Sequence, residues 1–358
     1  MRDTLRYNGA NKQYGMERVI MKLAIDAMGG DNAPAAVLDG VLAFLNEPEA
    51  EGVNLKLFGD EAVLKAFSAA HPELAGRVET AFTTETIGMG EHPTEAIRKK
   101  KDSSLVKALE CVRDKEADCF FSAGSTGAVL TGATLIVRRH KGIKRPALAT
   151  LIPNLEGGVT EIIDCGANTD CKPGYLVQFA LMGAAYLEAV EGVKNPRVGL
   201  LNNGAEEEKG NALTKEAHQR LKAQEGVNFV GNIEARDLTS GAVDVLVCDG
   251  FDGNVMLKTT EGVAKWISTM LKRTLMESFR GKMAGLIGKP SFAALKKKLD
   301  YTEYGGAPLL GINGGIIKGH GSSDAKSVKV CLLQATRLVR GGVTEKIGAF
   351  AETLNIED

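Results

Sequence analysis

Short apolar runs typical of strands alternate with helical patterns along most of the 358 residues. Met21 to Ala27 and Cys119 to Ser122 are two such runs, and each is followed by a Gly-rich turn and the start of a helix. Parallel strands need a crossover between them, and that crossover is usually a helix. The alternation therefore predicts an α/β fold, a three-layer sandwich with a mostly parallel sheet and helices on both faces.

Five of the predicted strands end in turns made of small polar residues. Ligands of parallel α/β sheets bind outside the carboxyl ends of the strands. If the five turns share one edge of the sheet, they form one site. The turns are Asp26–Asn32, Ser122–Gly127, Asp164–Asn168, Asn202–Ala205 and Asp249–Asn254.

The turn after the run 119–122 has the composition of an anion site. Backbone N–H groups at a helix N-terminus, together with the helix dipole, favour a bound anion. Gly124 and Gly127 let the backbone approach a ligand closely, and Ser122, Ser125 and Thr126 add hydroxyl donors. The spacing matches neither the Walker nor the dinucleotide-binding pattern. An ordinary capped turn between a strand and a helix explains this stretch equally well.

Composition excludes several classes of protein. The 44 basic and 45 acidic side chains leave a net charge of −1, so no overall field attracts nucleic acid. Six cysteines without a C-x-x-C pair suit reduced, buried thiols in a cytosolic protein rather than a zinc site. No apolar run reaches the roughly 18 residues of a membrane span. Aspartates in the turns could ligate a cation, but turn formation is their ordinary role, so we expect no metal and no other cofactor.

We expect residues 21–350 to form a single α/β domain and residues 1–20 to be a flexible N-terminal extension. Residues of about 256–300 depart from the alternation. Their apolar spacing predicts an amphipathic helix over 259–279, joined by an apolar tip to a second helix over 291–299. This hairpin arm fits a homodimer interface and also shallow contact with an anionic membrane. In the second use, the side chains that enter the bilayer are Met283, Leu286 and Ile287.

Three residues in the polar turns are candidates for chemistry. His320, in a turn before the last helix, is the best acid–base candidate among five histidines, although a structural donor is an equal alternative. Ser322 or Ser323 could cap that helix, whose N-terminus is a second anion site. Lys209 lies in a Gly-rich loop and would otherwise be a surface lysine. Asn254 can donate to an oxyanion or satisfy its own turn.

Eight motifs between residues 25 and 324 carry a family resemblance. They read I-D-A-M-G-G-D-N-A-P (25–34), S-A-G-S-T-G-A (122–128), K-G-I-x-R-P-A-L-A (141–149), D-x-G-A-N (164–168), K-G-N (209–211), G-N-I-E-A-R-D (231–237), D-G-F-D-G-N-V (249–255) and H-G-S-S-D (320–324). Together they resemble the bacterial phosphate acyltransferases, also called acyl-[acyl-carrier-protein]:phosphate acyltransferases. The match runs from Met21 to about Arg340.

The resemblance implies transfer of a long acyl chain from acyl carrier protein to inorganic phosphate, which gives acyl phosphate for phosphatidic acid and phospholipid synthesis. It implies a fold related to isopropylmalate dehydrogenases and phosphate acetyltransferases. It also implies a cytoplasmic homodimer, peripherally associated with the membrane, that has the downstream glycerol-3-phosphate acyltransferase as a further partner. The catalytic lysine and asparagine of the family fall on Lys209 and Asn254.

The remaining site residues are inferred from the turns themselves. Phosphate is already a nucleophile at pH 7, so we expect direct attack on the thioester without a covalent enzyme intermediate. An acidic carrier protein needs a basic surface, for which the candidates are Arg98, Lys99, Lys100, Arg138 and Arg139. Taken singly, each of the two basic stretches, 98–101 and 138–145, is more typical of a solvated face. The predicted phosphate-binding residues are Asp26, Gly29, Gly30, Asn32, Ser122, Gly124, Ser125, Thr126, Gly127, Asn168, Asn211, Asp249, His320, Ser322 and Ser323.

Two rival functions belong to different classes. A dehydrogenase of the related fold is disfavoured, because the chain lacks G-x-G-x-x-G and an evident trio of metal-binding aspartates. A non-enzymatic lipid-binding scaffold that uses the arm stays open from the pattern alone.

Overall fold

The computed structural model describes residues 21–299 and 305–354, and the predicted extension over residues 1–20 lies outside the described residues. The described strands form one eleven-stranded sheet in the order β3-β2-β1-β4-β11-β10-β5-β6-β9-β7-β8. The strands are β1 (Met21–Asp26), β2 (Val53–Gly59), β3 (Val78–Phe82), β4 (Cys119–Ser122), β5 (Ala147–Pro153), β6 (Val159–Ile163), β7 (Arg197–Asn202), β8 (Asn228–Glu234), β9 (Val245–Val247), β10 (Ala307–Leu310) and β11 (Gly315–Lys318).

Helices connect most of these strands. They are α1 (Ala35–Leu45), α2 (Glu61–Ala70), α3 (Pro93–Lys99), α4 (Ser104–Arg113), α5 (Thr126–Gly132), α6 (Pro173–Val190), α7 (Ala212–Ala223), α8 (Gly250–Met276), α9 (Phe279–Ile287), α10 (Lys289–Leu299), α11 (Ala325–Arg340) and α12 (Val343–Thr353). The last helix, α12, and the short strand β10 are elements that the sequence patterns did not predict.

Both faces of the sheet are covered by helices, as the three-layer prediction requires. Neighbouring residues on a strand point to opposite faces. Phe120 packs into an apolar cluster with α3, α4, α5 and α8, and Phe121 packs into a second cluster with α1, α2, α6, α7, α11 and α12. We call the first side of the sheet the α8 face. Seven of the ten neighbouring strand pairs are parallel, so the mostly parallel sheet is confirmed.

The three antiparallel pairs divide the sheet into two halves of opposite direction. These pairs are β11–β10, β10–β5 and β5–β6. Three successive reversals leave β6, β7, β8 and β9 antiparallel to β1, β2, β3, β4 and β11. The carboxyl ends of the two groups of strands therefore lie at opposite edges of the sheet. We call the edge at the carboxyl ends of β1, β4 and β11 the first edge. The edge at the carboxyl ends of β6, β7 and β9 is the second edge.

The expectation of one shared edge for all five polar turns is therefore wrong. The turns at Asp26 and Ser122 lie at the first edge, whereas those at Asp164, Asn202 and Asp249 lie at the second edge. The physical reason is the insertion of β10 and β5 between the two halves, which reverses the strand direction. The turns have the same composition at both edges, so composition gave no sign of the reversal.

The predicted arm protrudes from the sheet. No residue from 258 to 294 is buried, and Trp266 and Phe279 are 63% and 79% exposed. Two details of the prediction are corrected. The long helix begins at Gly250 rather than Thr259, because the Asp249 side chain caps it by accepting from Phe251 N. The tip is itself a helix, α9, whose N-terminus is capped by Ser278, so the arm has three helices rather than two.

The proposed membrane-contact residues of the arm all lie on α9. Met283, Leu286 and Ile287 are 42%, 66% and 77% exposed. A groove of about 1040 Å³ lies between α8 and the two shorter helices of the arm, lined by residues such as Ile267, Leu271 and Phe292. Within the described ranges, no helix combines the length and apolar character needed to cross a bilayer.

Candidate active site

A buried aspartate joins two turns at the first edge. Asp26, at the end of β1, accepts hydrogen bonds from Ser104 Oγ at 2.6 Å and from Ser122 Oγ at 2.7 Å. Burial raises the pKa of Asp26, and these two hydrogen bonds oppose that shift. Ser122 Oγ also accepts from Gly124 N at 2.9 Å. The Ser122 hydroxyl, predicted as a phosphate donor, is therefore occupied in holding the turn.

Gly29 allows the two turns to touch. A Cβ on this residue would lie 2.4 Å from Asp26 Oδ2 and 2.9 Å from Gly124 N, so no side chain fits. The first turn also contacts the turn before α11. Asp31 N donates to Gly321 O at 2.8 Å, and Asn32 Nδ2 donates to the carbonyls of Ser322 and Ser323. Three turns of the first edge therefore form one hydrogen-bonded unit.

The start of α5 differs in part from its prediction. Ser125 precedes the helix but makes no side-chain capping bond, and Thr126 is exposed at the first helical position. Gly127 was expected to admit a ligand. A Cβ there would instead lie 2.5 Å from Pro93 Cγ, so this glycine allows α3 to pack against α5.

His320 is held in one orientation by its own turn. Ser322 N donates to His320 Nδ1 at 3.2 Å, and Ser322 Oγ lies 2.8 Å from the same nitrogen. Because Nδ1 accepts from the backbone, the neutral ring carries its proton on Nε2. Burial lowers the pKa of His320, and the charges of Lys258 and Lys318 lower it further. At pH 7 the ring is therefore predominantly neutral.

The predicted cap of α11 is wrong. Asp324 caps this helix, because its Oδ1 accepts from Ser327 N at 2.8 Å. Neither Ser322 nor Ser323 has that role. Among the described residues, the buried hydroxyl of Ser323 has no hydrogen-bond partner.

Three residues predicted to bind phosphate at the second edge have structural bonds instead. Asn168 Nδ2 donates to Pro146 O at 2.8 Å and to Asp164 Oδ2 at 2.9 Å. Asn211 caps α7, since its Oδ1 accepts from Thr214 N at 2.9 Å. Asp249 caps α8 and also accepts from Cys171 N at 3.0 Å. The Asn168 amide and the Asp249 carboxylate therefore hold the turns, whereas Asn211 uses only its Oδ1 in the cap.

Lys209 and Asn254 lie at the same edge on neighbouring elements. Lys209 is in the loop after β7, Asn254 is in the first turns of α8 after β9, and β7 and β9 are paired in parallel. Asn254 lies against Gly166, because a Cβ on that glycine would be 3.5 Å from Asn254 Nδ2. Both side chains are exposed, and neither has a side-chain hydrogen bond to another described residue.

A cavity of about 690 Å³ separates the two elements. One wall is the loop after β7, and the other is the flank of α8 that carries Asp252, Val255 and Thr259. Neither Lys209 nor Asn254 lines this cavity, and Asn254 lies on the other flank of the helix. Burial raises the pKa of Asp252 in this wall, and the charge of Asp249 adds to the effect. The lining includes Asn202, Asn203, Gly210, Asn211, Arg236, Asp252, Val255, Met256 and Thr259.

Helix α8 links the two edges. Asn254, Lys258 and Glu261 lie on one side of it, since they are spaced by four and three residues. Lys258 and Glu261 are close enough to His320 for their charges to act on its pKa. The rise of an α-helix places Lys258 about 6 Å and Glu261 about 10 Å along the axis from Asn254. Asn254 and His320 therefore lie towards the two ends of this side of α8, and we call the region between them the cleft.

Comparison with known proteins identifies the family of this chain. A family model described as "Fatty acid synthesis protein" matches residues 21–346. A phosphate acyltransferase of Clostridioides difficile (strain 630) is 45% identical over 338 residues, which cover 94% of this chain and 98% of the relative. One from Clostridium novyi (strain NT) is 48% identical over 332 residues, covering 93% and 99%. The chain belongs to the phosphate acyltransferase family. The resemblance seen in the eight motifs is thus confirmed.

Solved structures of phosphotransacylases share the fold of this phosphate acyltransferase family member. A phosphotransacetylase from Streptococcus pyogenes superposes with a TM-score of 0.59 at 14% identity, covering 88% of this chain and 93% of the other. A branched-chain phosphotransacylase from Enterococcus faecalis V583 gives 0.55 at 13% identity, covering 89% and 99%. At these identities the likeness concerns the fold alone.

The basic residues predicted to dock a carrier protein lie near the packed helices α3 and α5. Lys99 forms an ion pair with Glu95, and Lys100 Nζ is bound to Thr86 O and Glu91, which reduces the charge available to a partner. Arg98 ends α3, whereas Arg138 and Arg139 follow the π-helical turn after α5.

One residue of this phosphate acyltransferase family member was missed by the sequence analysis. Lys318, the last residue of β11, is only 6% exposed, and its Nζ donates to Gly319 O. Burial lowers its pKa to about 8. The available signal was a lysine at the end of an apolar strand, directly before the His320 turn. Among the described residues, no group of three or more His, Cys, Asp or Glu is arranged to hold a metal.

Proposed function

We propose that this chain transfers a long-chain acyl group from the thioester of acyl carrier protein to inorganic phosphate, with acyl phosphate as the product for phosphatidic acid and phospholipid synthesis. Family membership establishes the coarser activity, acyl transfer to phosphate. The observation that supports the finer proposal is the position of Lys209 and Asn254 on neighbouring elements at the second edge, after the paired strands β7 and β9.

The reaction is direct attack. A phosphate oxygen adds to the thioester carbonyl carbon, the C–S bond breaks, and the carrier leaves as a thiolate that takes a proton from solvent. Cys165, Cys171 and Cys248 lie in or beside the second-edge turns, and burial raises the pKa of each thiol. Because a thiol is a weak nucleophile compared with its thiolate, these cysteines are poor candidates for a covalent intermediate.

Lys209 and Asn254 have separate roles in this proposal. The Lys209 ammonium neutralises phosphate or the developing oxyanion, and the Asn254 amide donates a hydrogen bond to that oxyanion. Both groups are exposed and without side-chain partners in the described part of the chain, so neither must break a bond to bind substrate.

Other surfaces of the protein bind the carrier protein, the second subunit and the membrane. Arg98, Lys99, Lys100, Arg138 and Arg139 form the proposed docking surface for the acidic carrier, and screening by salt should weaken that contact. The exposed apolar side chains of the arm serve the homodimer interface and peripheral contact with an anionic membrane. That location would deliver acyl phosphate to the glycerol-3-phosphate acyltransferase. We also propose that residues 21–350 act as one catalytic domain.

A thiol-release assay tests the proposal. The purified protein is incubated with acyl carrier thioester, with and without phosphate, and free thiol is followed together with acyl phosphate. We expect thiol release that requires phosphate and yields acyl phosphate in equal amount. Nicotinamide absorbance is the control for a dehydrogenase. Binding of lipid without any phosphate-dependent thiol release would instead support a non-enzymatic scaffold and contradict the proposal.

A further inference from the structure

Lys318 continues a row of polar side chains across the centre of the sheet. Its Cα is in register with Ser122 of β4, whose hydroxyl is bound to Asp26 of β1. Ile316 packs on the α8 face and Ile317 on the opposite face, so Lys318 returns to the α8 face. The lysine is therefore directed to the first-edge end of the cleft, on the same face as α8.

The Lys318 ammonium has few partners for a buried cation. Its only hydrogen-bond acceptor among the described residues is the carbonyl of Gly319, whereas an ammonium has three N–H donors. No carboxylate in the described chain forms an ion pair with it. The charged or titratable groups that act on it are Asp31 from the β1–α1 turn, Cys331 from α11 and Lys258 from α8. A buried charge with so few partners is costly unless a ligand supplies them.

Two further donors converge on this position. Lys258 on α8 is paired with Glu261 at 2.8 Å, and its charge lowers the pKa of Lys318. His320 presents Nε2–H from the turn that follows Lys318, and the charges of both lysines lower its pKa. The Ser323 hydroxyl, buried and without a partner among the described residues, lies 3.4 Å from the position of a Cβ on Gly319. The result is a group of cations and donors, and the charges of Asp31 and Glu261 raise the pKa of His320.

We propose that Lys318, Lys258 and His320 together bind the inorganic phosphate that attacks the thioester. This inference rests on the proposed function. It divides the cleft into a phosphate end at the first edge and a carbonyl end at Asn254. Lys258 is one helical turn from Asn254, about 6 Å along the axis, so a phosphate bound by Lys258 lies within reach of a carbonyl held by Asn254. The prosthetic arm of acyl carrier protein contains a phosphodiester, whose charged oxygens resemble those of inorganic phosphate. The test below distinguishes binding of inorganic phosphate from binding of this arm.

The test compares Lys318→Met and Lys258→Met with the wild type. Steady-state rates give separate KM values for inorganic phosphate and for acyl carrier protein. We expect the KM for phosphate to rise about tenfold or more in each variant, as loss of a charge-assisted bond requires, with the KM for carrier unchanged. Lys56→Met is the matched control, because Lys56 is a strand lysine paired with Glu116 away from the cleft. Its KM for phosphate should equal that of the wild type.

Thermal unfolding provides a readout that does not depend on turnover. Phosphate should raise the Tm of the wild type above that in chloride of equal ionic strength, and this shift should be absent from Lys318→Met. Without phosphate, Lys318→Met should melt at the wild-type temperature or higher, because it removes a buried cation with few partners. A purely structural lysine would give a lower Tm and leave the phosphate shift intact.

Several results would overturn the assignment. Folded variants with a phosphate KM within twofold of the wild type would exclude the cluster, and a rise only in the KM for carrier would assign it to the prosthetic arm instead. If Lys318→Met does not fold, the phosphate KM of Lys258→Met is the deciding measurement. The Lys258 side chain is 54% exposed, so its replacement should leave the fold intact. A wild type that makes no acyl phosphate yet shows the phosphate-dependent Tm shift would reject the proposed function and leave the cluster standing.

Discussion

Ser122 Oγ donates to Asp26 Oδ2 at 2.7 Å and so joins the carboxyl ends of β4 and β1. The same hydroxyl accepts from Gly124 N, which fixes the turn that leads into α5. Both side chains are buried, and the pKa of Asp26 is raised by that burial. The two residues therefore determine the shape of the first edge, although the sequence suggested that Ser122 contacts a ligand directly.

Ser122→Ala should destabilise the protein. The change removes the hydroxyl donor of the buried Asp26 Oδ2 and the acceptor of the Gly124 N–H, which costs about 1–3 kcal/mol. Chemical denaturation should show a lower midpoint with an unchanged m-value. Ser268→Ala is the control, because Ser268 Oγ bonds only to the preceding turn of an exposed helix. Equal stability of the two variants would contradict the bridging role of Ser122.

Lys209→Ala and Asn254→Ala should remain folded but lose acyl-phosphate formation. Removing one oxyanion donor typically lowers the rate about 10²- to 10³-fold. Both side chains are exposed, so the Tm should change little. Lys215→Ala, an exposed lysine on α7, controls for loss of charge near the loop. Wild-type turnover in either variant would remove that residue from the mechanism.

Glu161→Met should raise stability at neutral pH. Glu161 is fully buried, and neither carboxyl oxygen has a hydrogen-bond partner among the described residues. Burial, with the nearby charge of Glu191, raises its pKa well above 4.5. The folded state therefore retains a proton that the unfolded state releases above pH 4.5, so the wild type loses stability as pH rises through that value.

We expect a gain of about 1–3 kcal/mol for Glu161→Met at pH 7, the usual cost of an unsatisfied buried polar group. The gain should shrink as the pH falls below 4.5. Thermal unfolding from pH 4 to pH 8 measures it. Glu156→Met, at an exposed position, should show no such pH dependence. A lower Tm for Glu161→Met across the whole range would show that the carboxyl group stabilises the fold.

Replacing Leu286 and Ile287 with serine should weaken membrane contact without affecting turnover in solution. The two side chains are 66% and 77% exposed on α9, at the outer part of the arm. Burial of such residues in a bilayer contributes roughly 25 cal/mol per Å² of apolar surface. Sedimentation with anionic vesicles measures the binding, and Leu155→Ser, at an exposed leucine outside the arm, is the control. Unchanged sedimentation of the double variant would argue against membrane contact through α9.

Local patterns in the sequence determined most of the elements. The helical pattern of residues 61–70 predicted α2 at Glu61–Ala70, and the short apolar run before the Gly-rich turn predicted β4 at Cys119–Ser122, both with the observed bounds. The polar turns after the strands were recognised as well, because glycine, serine and asparagine in such positions reflect backbone requirements that are local. The motifs within those turns were enough to indicate the family.

Tertiary structure alone decided how the turns are grouped. The relative direction of the two halves depends on β10 and β5. These two strands pair with each other although they are more than 100 residues apart in the chain, and no local sequence pattern predicts such pairing. Likewise, Ser122 and Asn168 look like free donors in the sequence, but Ser122 is bound to Asp26 of another strand and Asn168 to the carbonyl of Pro146. Lys318 looks like an ordinary lysine until folding buries it beside Lys258 and His320. The electrostatic environment of a side chain depends on residues distant in the chain, and only the fold brings them together.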